Sequence, residues 1–382
     1  MNLLGQTARM RTVGVEEELL LVDPRSGRPM TLAPQVIAAT NEATETAEPR
    51  AGGELEGELQ RTMVETQSSV ATDLATVRTD LVGWRRRTSV TARRHGAALA
   101  AMATSPIAFD GVISSNERYE RMAERFGVTA NEVLSCGCHV HVGIESEEEG
   151  VGAIDRMRVW LPVLLAISAN SPFTGGQDTA YASYRSQLWV RWPSAGPTDA
   201  FGSPDAYHRL VGSMVDSGVL LDDGMVYFDA RLSHRYPTVE VRVAAVCVDV
   251  EDALLVAALC RGLVDTGSAA WARGEAAPGL PTAMLRLATW QAGREGVDGT
   301  LLKPSTFTPA PAIEVIGQLV DHVREALDAN GDLELVETGV ARLAAVGNGA
   351  SHQRRTFQRT GQLVDVVAEA ARRTVTFVSD VD

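Results

Sequence analysis

The sequence is short of cysteine, with four in 382 residues. Cys136, Cys138, Cys247 and Cys260 are too few and too unevenly spaced for a disulfide framework, so reduced thiols are expected. Positive charge is also in short supply, since 49 acidic residues against 35 Lys and Arg leave a formal net charge of −14. That balance argues against non-specific binding to nucleic acid, which needs a basic face to displace counterions from phosphates. A single nucleotide is not excluded, because a few local arginines and a carboxylate-bound metal can hold one whatever the overall charge. No stretch supplies the eighteen or so uncharged residues that a bilayer span requires, and the first residues lack the apolar run of a signal peptide. A cytoplasmic protein that does not engage a membrane is expected. Neither a Walker A loop nor a dinucleotide-binding glycine pattern occurs, and no Ser-His-Asp or Cys-His constellation suggests a covalent nucleophile.

What is present is ordinary globular composition, 45% hydrophobic and 22% charged, with no internal repeat, low-complexity tract or linker. A single domain over 1–382 is expected. Residues 12–23 are β-branched and apolar with carboxylates in the middle, and run into Asp-Pro-Arg-Ser-Gly, so they read as a strand ending in a hairpin-like turn. Helical spacing of Leu74, Val77, Leu81, Trp84 and Val90 predicts a long helix within 70–103, followed by a short strand near 102–107. Further strands are expected over 133–144, 227–231 and 237–246, and helices over 156–169, 254–263, 281–291, 312–329 and 360–374. The glycine-rich run 174–178 looks like an active-site loop. Strands separated by long helical stretches, without regular strand-helix alternation, favour an α+β architecture with an antiparallel sheet.

The acidic strands carry most of the chemistry. In Gly14-Val15-Glu16-Glu17-Glu18 an extended backbone puts Glu16 and Glu18 on one face and Glu17 on the other. Two carboxylates on one face repel unless a cation or proton lies between them, which suits a magnesium ligand pair; a charged edge strand that discourages aggregation is the plainer alternative. A second acidic run, 53–58, is followed by Glu65, seven residues after Glu58. On a helix that spacing puts Glu58 and Glu65 on one face, on a strand it opposes them unless a bulge intervenes, and a solvated charge run is an equal reading. His139 and His141 share a strand face while Cys136 and Cys138 are out of phase, an obstacle to a Cys2His2 zinc site. Two histidines facing one way point to a metal, a phosphate or a substrate. Finally, Glu240 and Arg242 alternate with Val239, Val241 and Val243. They form either a metal-binding carboxylate beside a phosphoryl-stabilising guanidinium or a plain ion pair on a solvated strand.

Taken in order, VGVEEELLLVD, GCHVHVG, YFDARLSHRYPTVEVRV, WQAGREGVDG and VGNGASHQRR resemble the second glutamate-cysteine ligase family of carboxylate-amine ligases and, more distantly, glutamine synthetase. The resemblance covers nearly the whole chain. It implies a glutamine synthetase-like α+β fold, an antiparallel β-sheet funnel flanked by helices, with ATP entering one end, the amino acid the other, and divalent metals between. It further implies Glu16, Glu18, Glu58, Glu65 and Glu240 as metal ligands. His139 is similar to the nucleotide-side histidine of the superfamily, with His141 beside it, and Arg242 to its phosphate-contacting arginine. Arg231 and Arg185 are the candidates for contacts to a substrate carboxylate or phosphate. The chain departs from the family pattern at Ala245, where an Asp is common, and at Ser351 and His352, where Asp and Arg are usual, which bears on substrate identity.

The implied reaction is ATP-dependent formation of an amide, a γ-glutamyl bond, from glutamate and an amine such as cysteine. It uses Mg2+ (Mn2+ as the alternative), passes through an acyl phosphate and releases ADP and phosphate. Expected partners are small-molecule amino-acid and amine substrates, with a homodimer left open. Two other readings stand beside it: a guanidino-type phosphotransferase, and a non-catalytic nucleotide- or ligand-binding protein of the same fold.

Overall fold

A computed structural model of the chain describes residues 10–45 and 53–377. The strand expected over 12–23 is β1, Val13–Val22. Asp23 shapes the turn that follows, its carboxylate accepting the amides of Arg25 and Ser26 at 2.8 Å each. Gly27, at φ 72°, takes a conformation few other residues adopt. The remaining strands are β2 (Glu56–Gly57), β3 (Met63–Gln67), β4 (Ala98–Ala100), β5 (Cys138–Gly143), β6 (Phe173–Thr174), β7 (Gln177–Asp178), β8 (Ala230–Leu232), β9 (Thr238–Val241), β10 (Thr300–Leu302) and β11 (Pro309–Pro311). Among the described residues a seven-stranded sheet runs β2-β3-β1-β5-β9-β8, with β4 also paired to β1, and every pairing is antiparallel. The expected α+β class with an antiparallel sheet is what the chain adopts.

One face of this sheet is apolar because alternate residues make it so. Val13, Val15, Val140, Val142, Val239 and Val241 are buried in one cluster with helices Glu147–Met157 and Val250–Ala272. A helix apolar on nearly every side belongs in an interior. Val250–Ala272 is, among the described residues, the one helix long and apolar enough to cross a membrane, and 78% of its apolar window is buried in the protein. A second cluster gathers Leu19, Leu20, Leu21 and Val22 with Trp84 and Leu99, so β1 contributes to both.

Several boundaries differ from expectation. The helix foreseen within 70–103 is Leu74–Arg94, started by Asp73, whose side chain accepts the Thr76 amide, and followed by Gly96 at φ 79°. Its following strand is therefore β4, earlier than 102–107. The helix foreseen over 156–169 is two, because Ser146 caps Glu147–Met157 and Pro162 opens Leu161–Ile167. The glycine-rich run expected as an active-site loop forms the β6-β7 hairpin, with Gly175 and Gly176 at its tip at φ 55° and 91°, and does not line the cavity described below. Gly361, at φ 67°, likewise separates Gly349–Thr360 from Leu363–Thr374.

Glu17 is the one charged side chain that β1 sends to the apolar side. Arg85, from helix Leu74–Arg94, meets it with a two-pronged bond, Nε to Oε2 at 2.9 Å and Nη2 to Oε1 at 2.6 Å. The rest of that guanidinium reaches the Val248 and Cys247 carbonyls at 2.8 and 2.7 Å. Both side chains are 0% exposed. Glu17→Ala strands the Arg85 charge and is expected to lose about 3–5 kcal/mol of stability in urea unfolding. Removing both charges, Glu17→Met with Arg85→Leu, should recover part of that loss; a double variant no more stable than the single one contradicts the pairing.

Candidate functional site

The opposite face of the sheet carries the polar residues, and strand register decides which of them meet. Glu18 lies across from Glu65, and Glu65 from Glu56. Glu16 faces Gln67 on one side and His139 on the other. His141 faces Glu240, which faces Arg231. This polar face therefore grades from carboxylates on β1, β2 and β3 to guanidiniums on β8 and at the end of β9. These residues line a cavity of about 630 Å³, whose far wall holds Tyr119, Met122, Trp189, Trp192 and Tyr227. Tyr236 stands at its rim, so five aromatic side chains gather here in a chain with only six Trp and six Tyr.

Glu16, Glu18, Glu58, Glu65, His139, His141, Arg231, Glu240 and Arg242 all line this one cavity, while Arg185 sits behind its wall, 2% exposed. Glu58 and Glu65 do not share a helix face: Glu65 is in β3, and Glu58 reaches the cavity from the turn after β2. Cys136 and Cys138 are buried and belong to neither group of side chains close enough to share a metal.

Electrostatics divides the site. Burial pushes the Glu16 carboxyl up, but hydrogen bonds from His139 Nδ1 and His141, with ring nitrogens 3.3 Å away, outweigh it and hold the group well below its ordinary range. Glu65 goes the other way, pushed well above that range by burial and by the charges of Glu58, Glu16 and Glu18. Burial and Glu58 also raise Glu18, despite His139, Arg185 and the Gly137 amide it accepts. Burial works on Glu240 too, yet Arg242 and Arg231 hold it far down. Arg231 Nε donates to Glu240 Oε2 at 2.7 Å and Arg242 Nη1 to Oε1. Arg231 Nη1 also donates to the Val226 carbonyl at 2.9 Å. Burial and Arg242 lower His139, which favours neutral imidazole.

Two groups have the makings of a cation site: Glu16, Glu65 and His139, and Glu16, His141 and Glu240, each offering donor atoms within 4.8 Å of one another. Mutually repelling buried carboxylates with an imidazole at the margin suit Mg2+ or Mn2+. In the second group the Glu240 oxygens already accept from two arginines, so the first is the stronger.

Buried atoms without partners include Ser135 Oγ, His139 Nε2, Arg185 Nε and Nη2, Arg242 Nε and Asp229 Oδ2, and two of these, His139 Nε2 and Arg185 Nη2, share a corner at Gly137. A side chain at Gly137 would place its Cβ 2.7 Å from Arg185 Nη2 and 2.8 Å from His139 Nε2, so only glycine leaves that corner open. The Arg185 and Arg242 guanidinium carbons lie 5.2 and 5.9 Å from the Trp189 ring centre. Burial pushes the Asp229 carboxyl up to about 7, with Arg185 working against it. A buried donor without an acceptor costs about 1–3 kcal/mol, and several together make a corner suited to an anion.

The three departures from the resembled family lie elsewhere. Ala245 is buried in the second apolar cluster, its amide bonded to Ser168 Oγ at 3.1 Å. Ser351 Oγ donates to Asp298 at 2.6 Å beneath the Asn348 cap of its helix, and His352 lies between Arg355 and Arg373. None of them lines the cavity. Residues that do, or that stand behind its wall, and that the sequence did not single out are Arg118, Tyr119, Trp189, Asp222, Tyr227 and Asp229. Only the last two had a signal, their place in the VYFDAR segment just before Arg231.

Comparison with known proteins places the chain in a family. The model of glutamate-cysteine ligase family 2 matches residues 12–371. A protein of Streptomyces avermitilis named "Putative glutamate--cysteine ligase 2-1" is 50% identical over 365 residues, 96% of this chain and 99% of the relative. A similarly named protein of Streptomyces coelicolor is 50% identical over 367 residues, 96% and 99%. Among solved structures, glutamate-cysteine ligase of Francisella tularensis in complex with AMP superposes with a TM-score of 0.66 at 11% identity, covering 96% of this chain and 89% of that one. A bifunctional glutathione synthetase of Pasteurella multocida gives 0.65 at 14%, covering 96% and 52%. At such identities the likeness shows the fold.

Glu65→Gln is expected to raise the melting temperature of the metal-free protein. A carboxyl raised on folding carries no penalty below its unfolded pKa of about 4.3 and an increasing one as pH climbs through the folded value. The gain from the substitution should therefore be larger at pH 8 than at pH 5. An equal gain at both contradicts the charge crowding.

Proposed function

This chain belongs to glutamate-cysteine ligase family 2, and from that premise we propose that it is an ATP-dependent carboxylate-amine ligase. The acid is glutamate or a close analogue, whose side-chain carboxylate is phosphorylated to an acyl phosphate and then taken by an amine, with ADP and phosphate released. Cysteine is the acceptor after which the family is named.

The observation that carries this reading is the juxtaposition, on one sheet face, of an acidic end that suits a cation and a basic end that suits an anion. Glu16, Glu18, Glu58 and Glu65, with His139 at the margin, would hold Mg2+ or Mn2+, which would neutralise charge on the nucleotide phosphates. Arg242 and Arg185 direct buried donors toward the corner where charge develops on a transferring phosphoryl group, and they do so already oriented. Glu240 and Arg231 act on Arg242 rather than on substrate, since their bonds to one another fix where that guanidinium points. Trp189, against both guanidiniums, keeps water from that corner. The AMP complex of the Francisella enzyme supports an adenine nucleotide as a ligand of this fold. Four cysteines, all buried and unpaired, suit a reducing compartment and so a cytoplasmic setting.

The test is phosphate release from Mg-ATP with L-glutamate across a panel of amines, with mass detection of product. Amine-dependent release with a γ-glutamyl product is expected, with kcat reduced about 100-fold or more in Glu16→Gln, the order seen on removing one electrostatic contact to a developing charge. If no acid or amine stimulates turnover although nucleotide binds, the chain is a binding protein; a phosphorylated product without free phosphate makes it a phosphotransferase.

A further inference from the structure

The mouth of the cavity carries a guanidinium to which the scheme above gives no part. Arg235 lines the cavity from the turn that joins β8 to β9. The other arginines on that lining, Arg118, Arg231 and Arg242, are each paired with the carboxylate of Asp222 or Glu240. Among the described residues Arg235 has no side-chain hydrogen bond, ion pair or ring contact. Carboxylates are in surplus in this chain, 49 against 35 Lys and Arg. An arginine left without one at the mouth of a cavity is therefore placed for an anion that arrives from solution.

The turn is tied down at its base and not at its tip. The Ser233 amide donates to the Thr238 carbonyl at 3.0 Å, and the Pro237 carbonyl accepts the Ile144 amide at 2.9 Å. Between them the amides of Arg235 and Tyr236 reach only Ser233 Oγ, each at 3.4 Å, longer than a well-made hydrogen bond. His234, Arg235, Tyr236 and Pro237 are exposed. The Tyr236 ring stands edge-on to His141 with centres 6.1 Å apart, and 54% of the residue faces solvent. A tip with so little buried against it changes conformation at low cost.

Strand length sets how far this tip is from the phosphoryl corner. From Thr238, the first residue of β9, to Arg242 the chain runs four residues, ~13 Å in extended form, and both Arg235 and Arg242 line the same cavity. A polyphosphate held by its terminal group at Arg242 and Arg185 thus has room to run toward the turn, and a long arginine side chain spans what remains. A guanidinium can meet phosphate oxygens with two parallel hydrogen bonds.

We propose that Arg235 folds over the cavity mouth onto the nucleotide phosphates that are not transferred, and that the β8-β9 turn closes with it as a lid. The closed turn keeps water from the acyl phosphate until the amine attacks, and it must open again before ADP leaves. Tyr236, already against His141, is the part of the tip that stays in touch with the sheet as the rest moves. The assignment rests on the ligase reading.

Two measurements test it, on the wild type, Arg235→Gln and Arg235→Lys. The first is calorimetric titration with ADP in the presence of Mn2+, which needs no turnover. The wild type should bind ADP, Arg235→Gln at least tenfold more weakly, as expected for the loss of a charge-assisted contact, and Arg235→Lys in between, while the glutamate KM stays the same. The second compares phosphate released with amide formed, using the best amine of the panel. The two should match in the wild type. In Arg235→Gln phosphate should exceed amide at least twofold, because water takes the place of the amine and returns glutamate and phosphate. ADP affinity unchanged in Arg235→Gln, a loss confined to the glutamate KM, or phosphate and amide still matched in that variant overturns the proposal and leaves the ligase standing. No nucleotide bound by the wild type overturns both.

Discussion

Three consecutive glutamates in the central strand set the terms for everything around them. Backbone alternation forces Glu17 to one side and Glu16 and Glu18 to the other, and neither side can leave its charge uncompensated. Behind the sheet the solution is Arg85, buried with Glu17 and bonded to the carbonyls of Cys247 and Val248, which follow β9. One helix is thereby tied to the first strand and to the chain that leaves the last, and the sheet is held in register from its hidden face. In front, no arginine forks onto Glu16, Glu18 or Glu65 among the described residues, and the imidazoles of His139 and His141 lie against Glu16.

The polarity of the front face follows from which strands are neighbours. With β3 and β2 on one side of β1, and β5, β9 and β8 on the other, carboxylates accumulate at one end and guanidiniums at the other. Each end is under tension by itself, the acidic one through mutual repulsion and the basic one through donors that lack acceptors. Under the proposed function, a substrate that brings cation and phosphate together relieves both. The aromatic wall lowers the local dielectric and so strengthens both effects.

What the sequence disclosed was what depends on short-range periodicity. The parity of Glu16 and Glu18, of His139 and His141 and of Glu240 and Arg242 needs only an extended backbone, and the structure has each pair on the face that parity assigns. Glu58 and Glu65 were ambiguous because their meeting depends on a turn whose course no spacing rule describes. Arg85 and Arg118 carried no readable signal, since their partners Glu17 and Asp222 are brought to them by the packing of separate elements. The late motif around Asn348 was informative about family and silent about the site: its residues cap a helix and bond to Asn170 and Asp298 in the packing, away from the cavity. Helix ends were missed where one residue decides, as at Gly96 and Pro162.

The central claim is that one end of a single sheet face takes a cation while the other takes an anion. Titration of Mn2+ followed by electron paramagnetic resonance, on the wild type, Glu16→Gln and Arg242→Gln, tests it most directly. Mn2+ should be taken up by the wild type and by Arg242→Gln, and uptake should be lost or greatly weakened in Glu16→Gln. No uptake by the wild type, or equal uptake by all three, would contradict a cation site built on β1.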